Sequence, residues 1–439
     1  MVGDRRIAVK TAVLARNSLE LAPFPTLEHA DMKILLSAIG SRGDVQPLVA
    51  IALELRALGH EPRFCVPPNF TPWVESFGFD CFPIGPDLKQ LTGGTAPKRA
   101  PAQTPTAEQR RQLAAHTVRS QFPVLTQAAS GCDLVVGATA LQFATRSVAE
   151  SLGIAYVFVA FCPVVLPSPD HPPPKIGMHH DPSSPPDANR SLWIEDEQSW
   201  NDLFRESVNE ERAALGLAAI DSVRRHIFTD RPWLAADAVL APAAASDDLH
   251  IVQTGAWLLS DRSGLPDEIE AFLANGDPPI YFGFGSMSAA EPTSRTFVEA
   301  ARALGRRSII SQGWANLARA DAGVDCLSVG DIAHDALFAR VAAIVHHGGA
   351  GTTTAAARAG KPQVVLPHTY DQFYWADRVR SLGIGVAGPE HAHLTVDALI
   401  PALQDCLRPA IAANAPTLAR RVVSSGAARA ARRLIDEFA

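Results

Sequence analysis

The sequence predicts an α/β fold made of two Rossmann-like domains, each a doubly wound parallel sheet, that face each other across a cleft. Short apolar segments alternate with amphipathic helical stretches from Met32 onward, which is the order of successive βαβ units. The alternation is interrupted in mid-chain and resumes near residue 251. With 439 residues, the chain is also too long for one hydrophobic core and long enough for two.

Composition and charge exclude several other classes of protein. The chain is 47% hydrophobic and 19% charged, which is typical of a globular protein and not of a disordered one. The net charge of -7 gives no reason to expect nucleic acid or anionic lipid as a partner. No apolar run approaches the roughly 18 residues of a membrane span, so no stable membrane insertion is predicted. The six cysteines form no CxxC pair, which disfavours a zinc ribbon or a disulfide scaffold and predicts a reducing compartment, the cytoplasm.

The first domain is predicted over residues 32–240, after an N-terminal extension, residues 1–31, whose charged residues interrupt every apolar run and give no signal peptide. Its first strand, 33–39, leads into the turn 40–44. Apolar residues at spacings of three or four then indicate a helix that ends at Gly59. Further strands are predicted at 63–67, 133–137 and 156–160.

Two segments interrupt this alternation. Residues 92–108 contain Gly, Thr and Pro and are predicted to form a loop. Residues 163–190 hold nine prolines, too many for a helix or a central strand. Long loops inside compact domains are usually functional or disordered. Because helical character returns over 191–216, we interpret 163–190 as a functional loop.

The second domain is predicted over residues 251–439, including C-terminal helices, and residues 241–250 are the predicted linker. Ligands bind outside the carboxyl ends of strands in open α/β sheets, so the cleft between the two sheets is the expected site. The strands are predicted at 279–285, 308–311, 325–329, 342–345 and 363–366, and helices at 293–304, 351–359 and 373–382.

The strongest local motif is HHGGAGTTT at residues 346–354, between an apolar strand and a helix. Glycines allow close approach to a ligand, and the helix N-terminus offers N–H groups to an anion such as a diphosphate. The motif is not a P-loop, since Lys361 follows the helix. A Gly-rich turn with a structural histidine is the alternative. A metal site is disfavoured, because His346 and His347 point to opposite faces of a strand and the chain has no Asp-x-Asp sequence.

Three further turns follow predicted strands. The turn GFGSMS, 283–288, lacks the third glycine of the dinucleotide fingerprint, so it supports NAD binding weakly but suits a second set of phosphate donors. Asp44 is either a helix cap or a general base. Asp371 and Gln372 suit hydrogen bonds to vicinal hydroxyls, and a helix cap is again the alternative.

These motifs together resemble a family-1, GT-B type glycosyltransferase, nearest to the bacterial natural-product branch and close to the sterol and lipid glucosyltransferases. The resemblance extends over about residues 32–430. It rests on three blocks in order: MKILLSAIGSRGDVQPLVAIALELRALGHEPRFCVPPNF with FPIGPD, then PPIYFGFGSM, then VGDIAHDALFARVAAIVHHGGAGTTTAAARAGKPQVVLPHTYDQFYWADRVRSLGIGVA.

The resemblance implies Asp44 as the catalytic base, at a position held by His in the plant enzymes, on an acceptor-side turn of Ser41, Arg42 and Gly43. It assigns His347 to the donor diphosphate and a strip from Val329 to Ile332 to the base. The plant enzymes have Trp and Gln where this chain has Val329 and Ile332, so uridine and thymidine donors both stay open. They also have a ribose-binding Glu where this chain has Ala355, so recognition of the ribose stays open as well. The donor-binding residues it implies are Gly285, Ser286, Val329, Ile332, His347, Gly349, Gly351, Thr352, Asp371 and Gln372.

The implied activity is an inverting transfer from a UDP- or dTDP-sugar to a hydroxyl of a small hydrophobic or aromatic acceptor. No metal or other cofactor is expected, because the helix dipole and His347 would stabilise the leaving diphosphate. The protein is expected to be a monomer or homodimer. Two alternatives are an enzyme resembling UDP-sugar epimerases and a non-catalytic partner of another glycosyltransferase.

Overall fold

The computed structural model describes residues 31–87, 106–174, 185–261, 263–285, 292–313 and 323–439. They form two parallel sheets, of seven and six strands, covered by helices. The predicted fold class is therefore confirmed. Every predicted strand is present within two residues at each end, and the three helices predicted in the second half begin one residue earlier than expected.

The first sheet has the strand order β3-β2-β1-β4-β5-β6-β7. Its strands are Lys33–Ala38 (β1), Glu61–Val66 (β2), Cys81–Pro83 (β3), Leu134–Ala138 (β4), Ala155–Ala160 (β5), Trp233–Leu234 (β6) and Val252–Gln253 (β7). The helices of this part of the chain are Arg42–Ala57 (α1), Thr71–Glu75 (α2), Ala107–Ala129 (α3), Thr145–Leu152 (α4), Pro186–Ala214 (α5) and Val223–Phe228 (α6).

The second sheet has the order β10-β9-β8-β11-β12-β13. Its strands are Ile280–Gly283 (β8), Ser308–Ser311 (β9), Cys326–Val329 (β10), Ala343–His346 (β11), Gln363–Val365 (β12) and Gly385–Ala387 (β13). The remaining helices are Asp267–Ala274 (α7), Pro292–Ala303 (α8), His334–Phe338 (α9), Ala350–Arg358 (α10), Gln372–Ser381 (α11), Val396–Cys406 (α12), Pro409–Ala419 (α13) and Gly426–Phe438 (α14).

Central strands are apolar along their whole length because both faces of each sheet are covered. In β1, Ile34 and Leu36 belong to one core cluster and Leu35 to another, as the alternation of side chains along a strand requires. Pairing is parallel, with Ile34 opposite Leu134 on one side and Pro62 on the other. This central position places the carboxyl end of β1, and the turn that follows it, at the middle of the sheet edge.

Helices begin inside both of the predicted loops, 92–108 and 163–190, so each loop ends earlier than predicted. Thr106 begins α3 inside the predicted loop 92–108, because its hydroxyl accepts from the Gln109 N–H while the Gln109 side chain accepts from the Thr106 N–H. The helix α5 begins at Pro186, not at residue 191, since proline is well accommodated in the first turn of a helix. Residues 88–105 and 175–184 lie outside the described residues.

The domain boundary differs from the prediction at two places. The second domain was predicted to begin at residue 251, but the strand β7, which follows that residue, pairs with β6 in the first sheet. The last helix, α14, packs against α1 in the core of the first half and not with the second sheet. The chain therefore crosses between the halves twice. At these crossings Gly255, with φ of +89°, brings its backbone against that of Gly426, so a Cβ at residue 255 would lie 3.2 Å from the Gly426 Cα.

The described helices include none long and apolar enough to cross a membrane.

Candidate active site

The turn between β1 and α1 fixes the carboxylate of Asp44. Ser41 is the N-cap of α1, and its backbone N–H donates to Oδ2 of Asp44 at 2.6 Å, while its hydroxyl accepts from the Gly43 N–H at 3.2 Å. A Cβ at residue 40 would overlap the Asp44 carboxylate, so this position needs glycine. Asp44 therefore makes the helix-capping contact that the sequence offered as an alternative to a general base. The same contact holds one of its carboxylate oxygens just beyond the carboxyl end of β1.

Arg42 joins this turn to the second half of the molecule. Its Nη1 lies 2.7 Å from Oδ2 of Asp331, in the predicted base strip. The guanidinium also lies 4.9 Å from the centre of the Trp73 ring, and its Nε donates to Gln46. The structure therefore brings the predicted acceptor-side turn and the predicted base strip together across the cleft.

The two adjacent histidines have different surroundings, as the strand geometry predicts. His346 is fully buried, with Nε2 2.9 Å from the Gln363 side chain and Nδ1 accepting from the Gly348 N–H. His347 faces the other way. Its Nδ1 is buried and makes no hydrogen bond within the described residues.

Two of the predicted donor glycines approach the same edge of the His347 ring. A Cβ at Gly349 would lie 2.7 Å from Nε2, and a Cβ at Gly285 would lie 3.2 Å from Cε1. Gly285 also has φ of +56°, which favours glycine. Ser286 lies outside the described residues. The two turns that the sequence predicts as phosphate sites therefore meet at the Cε1–Nε2 edge of one imidazole.

The helix α10 presents its N-terminus beside His347. Gly349 is its N-cap and supplies no side chain to cap the first N–H groups. The hydroxyls of Thr353 and Thr354 donate back to the carbonyls of Gly349 and Ala350, so these two threonines serve the helix. Gly351 is exposed and Thr352 half-buried, within the first turn. This arrangement suits an anion.

The pair Asp371 and Gln372 begins α11, near the carboxyl end of β12. Oδ2 of Asp371 accepts from the Trp375 indole at 3.1 Å. Oε1 of Gln372 accepts from the backbone N–H groups of His368 and Thr369, at 2.7 and 3.2 Å. Gln372 thus shapes the turn that precedes the pair, a role that the sequence analysis did not foresee.

Two buried carboxyls, one from each half, have raised pKa values. Burial raises the pKa of Asp44 to about 6, against the opposing hydrogen bonds from Ser41. Burial raises the pKa of Asp371 to about 7; the Trp375 hydrogen bond opposes this shift and the charge of Asp44 adds to it. The charge of Asp44 thus disfavours the ionised form of Asp371.

The histidine is neutral at physiological pH. Burial, with smaller contributions from the neighbouring His346 and His368, lowers the pKa of His347 to about 3. A neutral imidazole donates one N–H and accepts at the other nitrogen. An arriving anion would favour its protonation, because an opposite charge stabilises the cationic form.

Comparison with known proteins identifies the family. The glycosyltransferase family 28 N-terminal domain model matches residues 34–167, and the C-terminal domain model of erythromycin biosynthesis protein CIII-like proteins matches residues 319–432. A vancomycin aglycone glucosyltransferase of Amycolatopsis orientalis is 43% identical over 413 residues, covering 92% of this chain and 97% of the relative. The chain belongs to the glycosyltransferases of the antibiotic-biosynthesis type.

Two other similarities agree with this assignment. A dTDP-epi-vancosaminyltransferase of the same organism is 40% identical over 397 residues, covering 88% of this glycosyltransferase and 93% of the relative. The solved structure of the glycotransferase of kitacinnamycin has a TM-score of 0.66 at 20% identity, covering 93% of this chain and all of that one. The structural similarity supports the GT-B fold.

The base strip of this glycosyltransferase offers little side-chain surface. Val329 is buried in β10, and Ile332 is half-buried against the same core cluster. The exposed side chain of the strip is that of Asp331, held by Arg42. Sequence reasoning missed this ion pair, since nothing in the spacing of two residues so far apart indicates a contact.

No group of three or more His, Cys, Asp or Glu within the described ranges could hold a metal ion. A cavity of about 340 Å³ between α4 and α14, lined by Arg146, Trp233 and Phe438, includes none of the predicted site residues.

Proposed function

We propose that this glycosyltransferase transfers a sugar from a UDP- or dTDP-sugar, with inversion and without a metal ion, to a hydroxyl of a small hydrophobic or aromatic acceptor. The observation that carries the proposal is the contact of 2.7 Å between Arg42 of the first half and Asp331 of the second. It brings the turn of Asp44, the proposed base for the acceptor, against the strip proposed to bind the donor nucleotide.

In this mechanism Asp44 is the general base. With a pKa of about 6, it is largely ionised at neutral pH and still basic enough to accept a proton in the transition state. As the acceptor hydroxyl gives its proton to Asp44, its oxygen forms a bond to the anomeric carbon. The bond from that carbon to the diphosphate oxygen breaks on the opposite face, so an α-linked donor gives a β-glycoside.

The leaving diphosphate gains negative charge as that bond breaks. We assign its stabilisation to the first-turn N–H groups of α10 and to His347, whose ring lies beside the N-cap Gly349. The glycines Gly285 and Gly349 leave room for phosphate oxygens at the Cε1–Nε2 edge of the ring. These groups supply the charge stabilisation that a divalent ion would otherwise give.

The names of the relatives support the substrate classes. One relative is named for vancomycin aglycone and another for a dTDP-sugar, so an aglycone acceptor and either nucleotide remain in the proposal. On the acceptor side, Leu141 is 44% exposed shortly after β4, the strand beside β1. An exposed leucine at this edge of the sheet suits an apolar acceptor.

The first experiment is calorimetric titration of the protein with UDP and with dTDP in excess EDTA. Micromolar binding of one nucleotide over the other would support both the donor class and the absence of a metal. Incubation with the matching nucleotide-glucose and vancomycin aglycone, with 4-methylumbelliferone as a second acceptor, then tests transfer, and NMR of the product gives the anomeric configuration.

Each other outcome favours a named alternative. Release of free sugar or an epimer that does not depend on acceptor would favour the epimerase-like enzyme. Failure to bind either nucleotide would favour the non-catalytic partner. Binding that disappears in EDTA and returns with Mg²⁺ would refute metal independence.

A further inference from the structure

Asp371 occupies the N-cap position of α11 but does not cap the helix. A capping aspartate normally has an extended backbone and accepts from an N–H group of the first turn. Asp371 instead has φ of -71° and ψ of -9°, and its side chain makes no capping hydrogen bond. Its Oδ2 accepts from Nε1 of Trp375, at 3.1 Å, one turn further along the helix. The carboxylate is therefore held by the indole and not by the helix end.

This carboxylate lies on the face of α11 that is turned toward the first half. Residues at i, i+4 and i+7 share one face of a helix, and Asp371, Trp375 and Arg378 have this spacing. Trp375 is 1% exposed and belongs to a core cluster that also contains Val164 of the first half. Arg378 donates to the carbonyl of Leu240, at 2.7 Å. Two contacts thus fix this face of α11 against the half that carries the proposed base.

The indole is suited to orient a carboxylate. Its N–H group can only donate, and a buried indole N–H normally has a hydrogen-bond partner. An ionised carboxylate has two oxygens that accept, and the indole takes up one of them. Asp371 is half-buried, so its carboxylate is not sealed inside the core as the Trp375 ring is.

We propose that Trp375 is a positioning residue for the donor sugar. Its indole N–H draws the Asp371 carboxylate away from the helix N-terminus and holds it on the face of α11 that is turned toward the first half, where the second carboxylate oxygen accepts from hydroxyls of the sugar. The inference rests on the proposed function, since it assumes that Asp371 binds the donor sugar.

The same hydrogen bond favours the ionised form of the carboxyl. It opposes the rise that burial causes in the pKa of Asp371, because a donor to a carboxylate stabilises the charged form. An ionised carboxylate also accepts stronger hydrogen bonds than a neutral acid does. Loss of the indole N–H should therefore raise the pKa of Asp371 and leave less of its carboxylate ionised at neutral pH.

The test uses the full-length protein with UDP-glucose or dTDP-glucose, whichever it prefers, and 4-methylumbelliferone as the acceptor. Trp375→Phe removes the N–H group and keeps most of the buried ring. We expect its KM for the nucleotide-sugar to rise about tenfold at pH 7, while the calorimetric Kd of the nucleotide without its sugar matches that of the wild type. The acid limb of its kcat/KM profile should move up by about one pH unit, so that much of the loss is recovered at pH 9.

Trp257→Phe is the matched control. Trp257 is 2% exposed, and its indole donates to the Thr254 hydroxyl at 3.0 Å. The variant therefore loses a buried indole hydrogen bond that involves no carboxylate. It should keep the wild-type KM for the nucleotide-sugar and the wild-type pH profile, whatever stability it loses.

A double-mutant cycle tests whether Trp375 acts through Asp371. Asp371→Asn replaces the carboxylate by an amide of similar shape, which no longer ionises. Trp375→Phe should then raise the KM for the nucleotide-sugar by less than about twofold in the Asp371→Asn background, because the effects of two residues that act as a unit do not add.

Four outcomes would overturn the inference. An unchanged KM and pH profile in Trp375→Phe would show that the indole does not position the carboxylate. A loss of equal size at pH 7 and pH 9, or one shared by Trp257→Phe, would make Trp375 a structural residue. A nucleotide Kd that weakens in parallel would place the effect outside the sugar. A full tenfold effect in the Asp371→Asn background would show that Trp375 does not act through Asp371. If the wild type itself transfers no sugar, the proposed function fails, and this result is distinct from all four.

Discussion

Nη1 of Arg42 lies 2.7 Å from Oδ2 of Asp331, although 289 residues separate them in sequence. Arg42 stands two residues before Asp44, and Asp331 lies between β10 and α9 in the predicted base strip. This ion pair therefore links the proposed catalytic turn of one half to the proposed nucleotide-binding strip of the other. Stacking on Trp73 fixes the guanidinium in that position.

The first prediction concerns this ion pair. Asp331→Asn should lower kcat/KM about 2- to 5-fold, because an exposed pair contributes roughly 0.2–1 kcal/mol. The wild type should lose the same factor in 0.5 M NaCl, whereas the variant should respond less to salt. Glu61→Gln, which breaks the exposed pair with Lys33 inside the first half, is the control and should leave kcat/KM unchanged. Wild-type kinetics that do not depend on salt would contradict this prediction.

The second prediction concerns the proposed base. Asp44→Asn should reduce kcat by about two to four orders of magnitude, because it removes the proton acceptor and keeps the shape. UDP or dTDP affinity, measured by calorimetry, should be roughly kept. Turnover like that of the wild type would remove Asp44 from the mechanism.

The same carboxyl predicts a pH dependence. In the wild type, kcat/KM should fall as the pH drops through about 6 to 7, with apparent pKa values that belong to the Asp44–Asp371 pair. The raised pKa of Asp44 favours its neutral form in the fold. The stability from that neutral form is fully present below pH 3.8 and is lost as the pH rises through about 6. Asp44→Asn should therefore have a higher Tm than the wild type at pH 8 and a similar Tm near pH 4, as differential scanning fluorimetry can show.

The third prediction concerns the space around His347. Gly349→Ala places a Cβ 2.7 Å from Nε2 of His347, so the ring must move. Nucleotide Kd, measured by calorimetry, should rise by at least about tenfold, since the moved imidazole no longer meets the diphosphate. Gly264→Ala is the control, because a Cβ there meets no atom within 4 Å. Equal affinity in the two variants would refute the assignment of His347.

The fourth prediction concerns the junction between the halves. Asp237 is 1% exposed, and its carboxylate accepts from the N–H groups of Val239, Leu240 and Val423. Because Val423 lies at the second crossing of the chain, this carboxylate ties that crossing to the first half. Arg378 of α11 adds to the junction by donating to the carbonyls of Leu240 and Val239.

Asp237→Asn has one side-chain oxygen where the carboxylate has two. In either orientation its N–H₂ group faces at least one of the backbone N–H groups, which then loses its hydrogen-bond acceptor. The free energy of unfolding should fall by about 1–3 kcal/mol, as measured by urea denaturation. The control is Asp405→Asn, which removes an exposed ion pair with Arg408 and should change the free energy of unfolding by less than about 1 kcal/mol. Similar losses in the two variants would show that the junction is not stabilised by Asp237.

The amino-acid sequence determined the parts of the fold that depend on local pattern. Apolar runs such as those of β1 and β11 predicted strands buried on both faces, and the helix α1 follows from apolar residues at spacings of three or four. The short strands β3, β6 and β13 could not be predicted, because two or three residues carry no periodic signal and form a strand only against a neighbour that is already in place. The pairing of β7 and α14 with the first half was missed for a related reason, since a chain that returns to its first domain does so through tertiary packing alone.

The motifs of the site were likewise evident from the sequence, because glycines, a histidine and acidic residues at strand ends point to anion and sugar chemistry wherever the sheets place them. Only the tertiary structure decided which residues meet. It set Gly285 and Gly349 at the same edge of the His347 ring, paired Arg42 with Asp331, and gave Tyr370 its left-handed backbone. Such contacts join residues that are distant in sequence, and their energies depend on burial and distance, which a linear pattern does not contain.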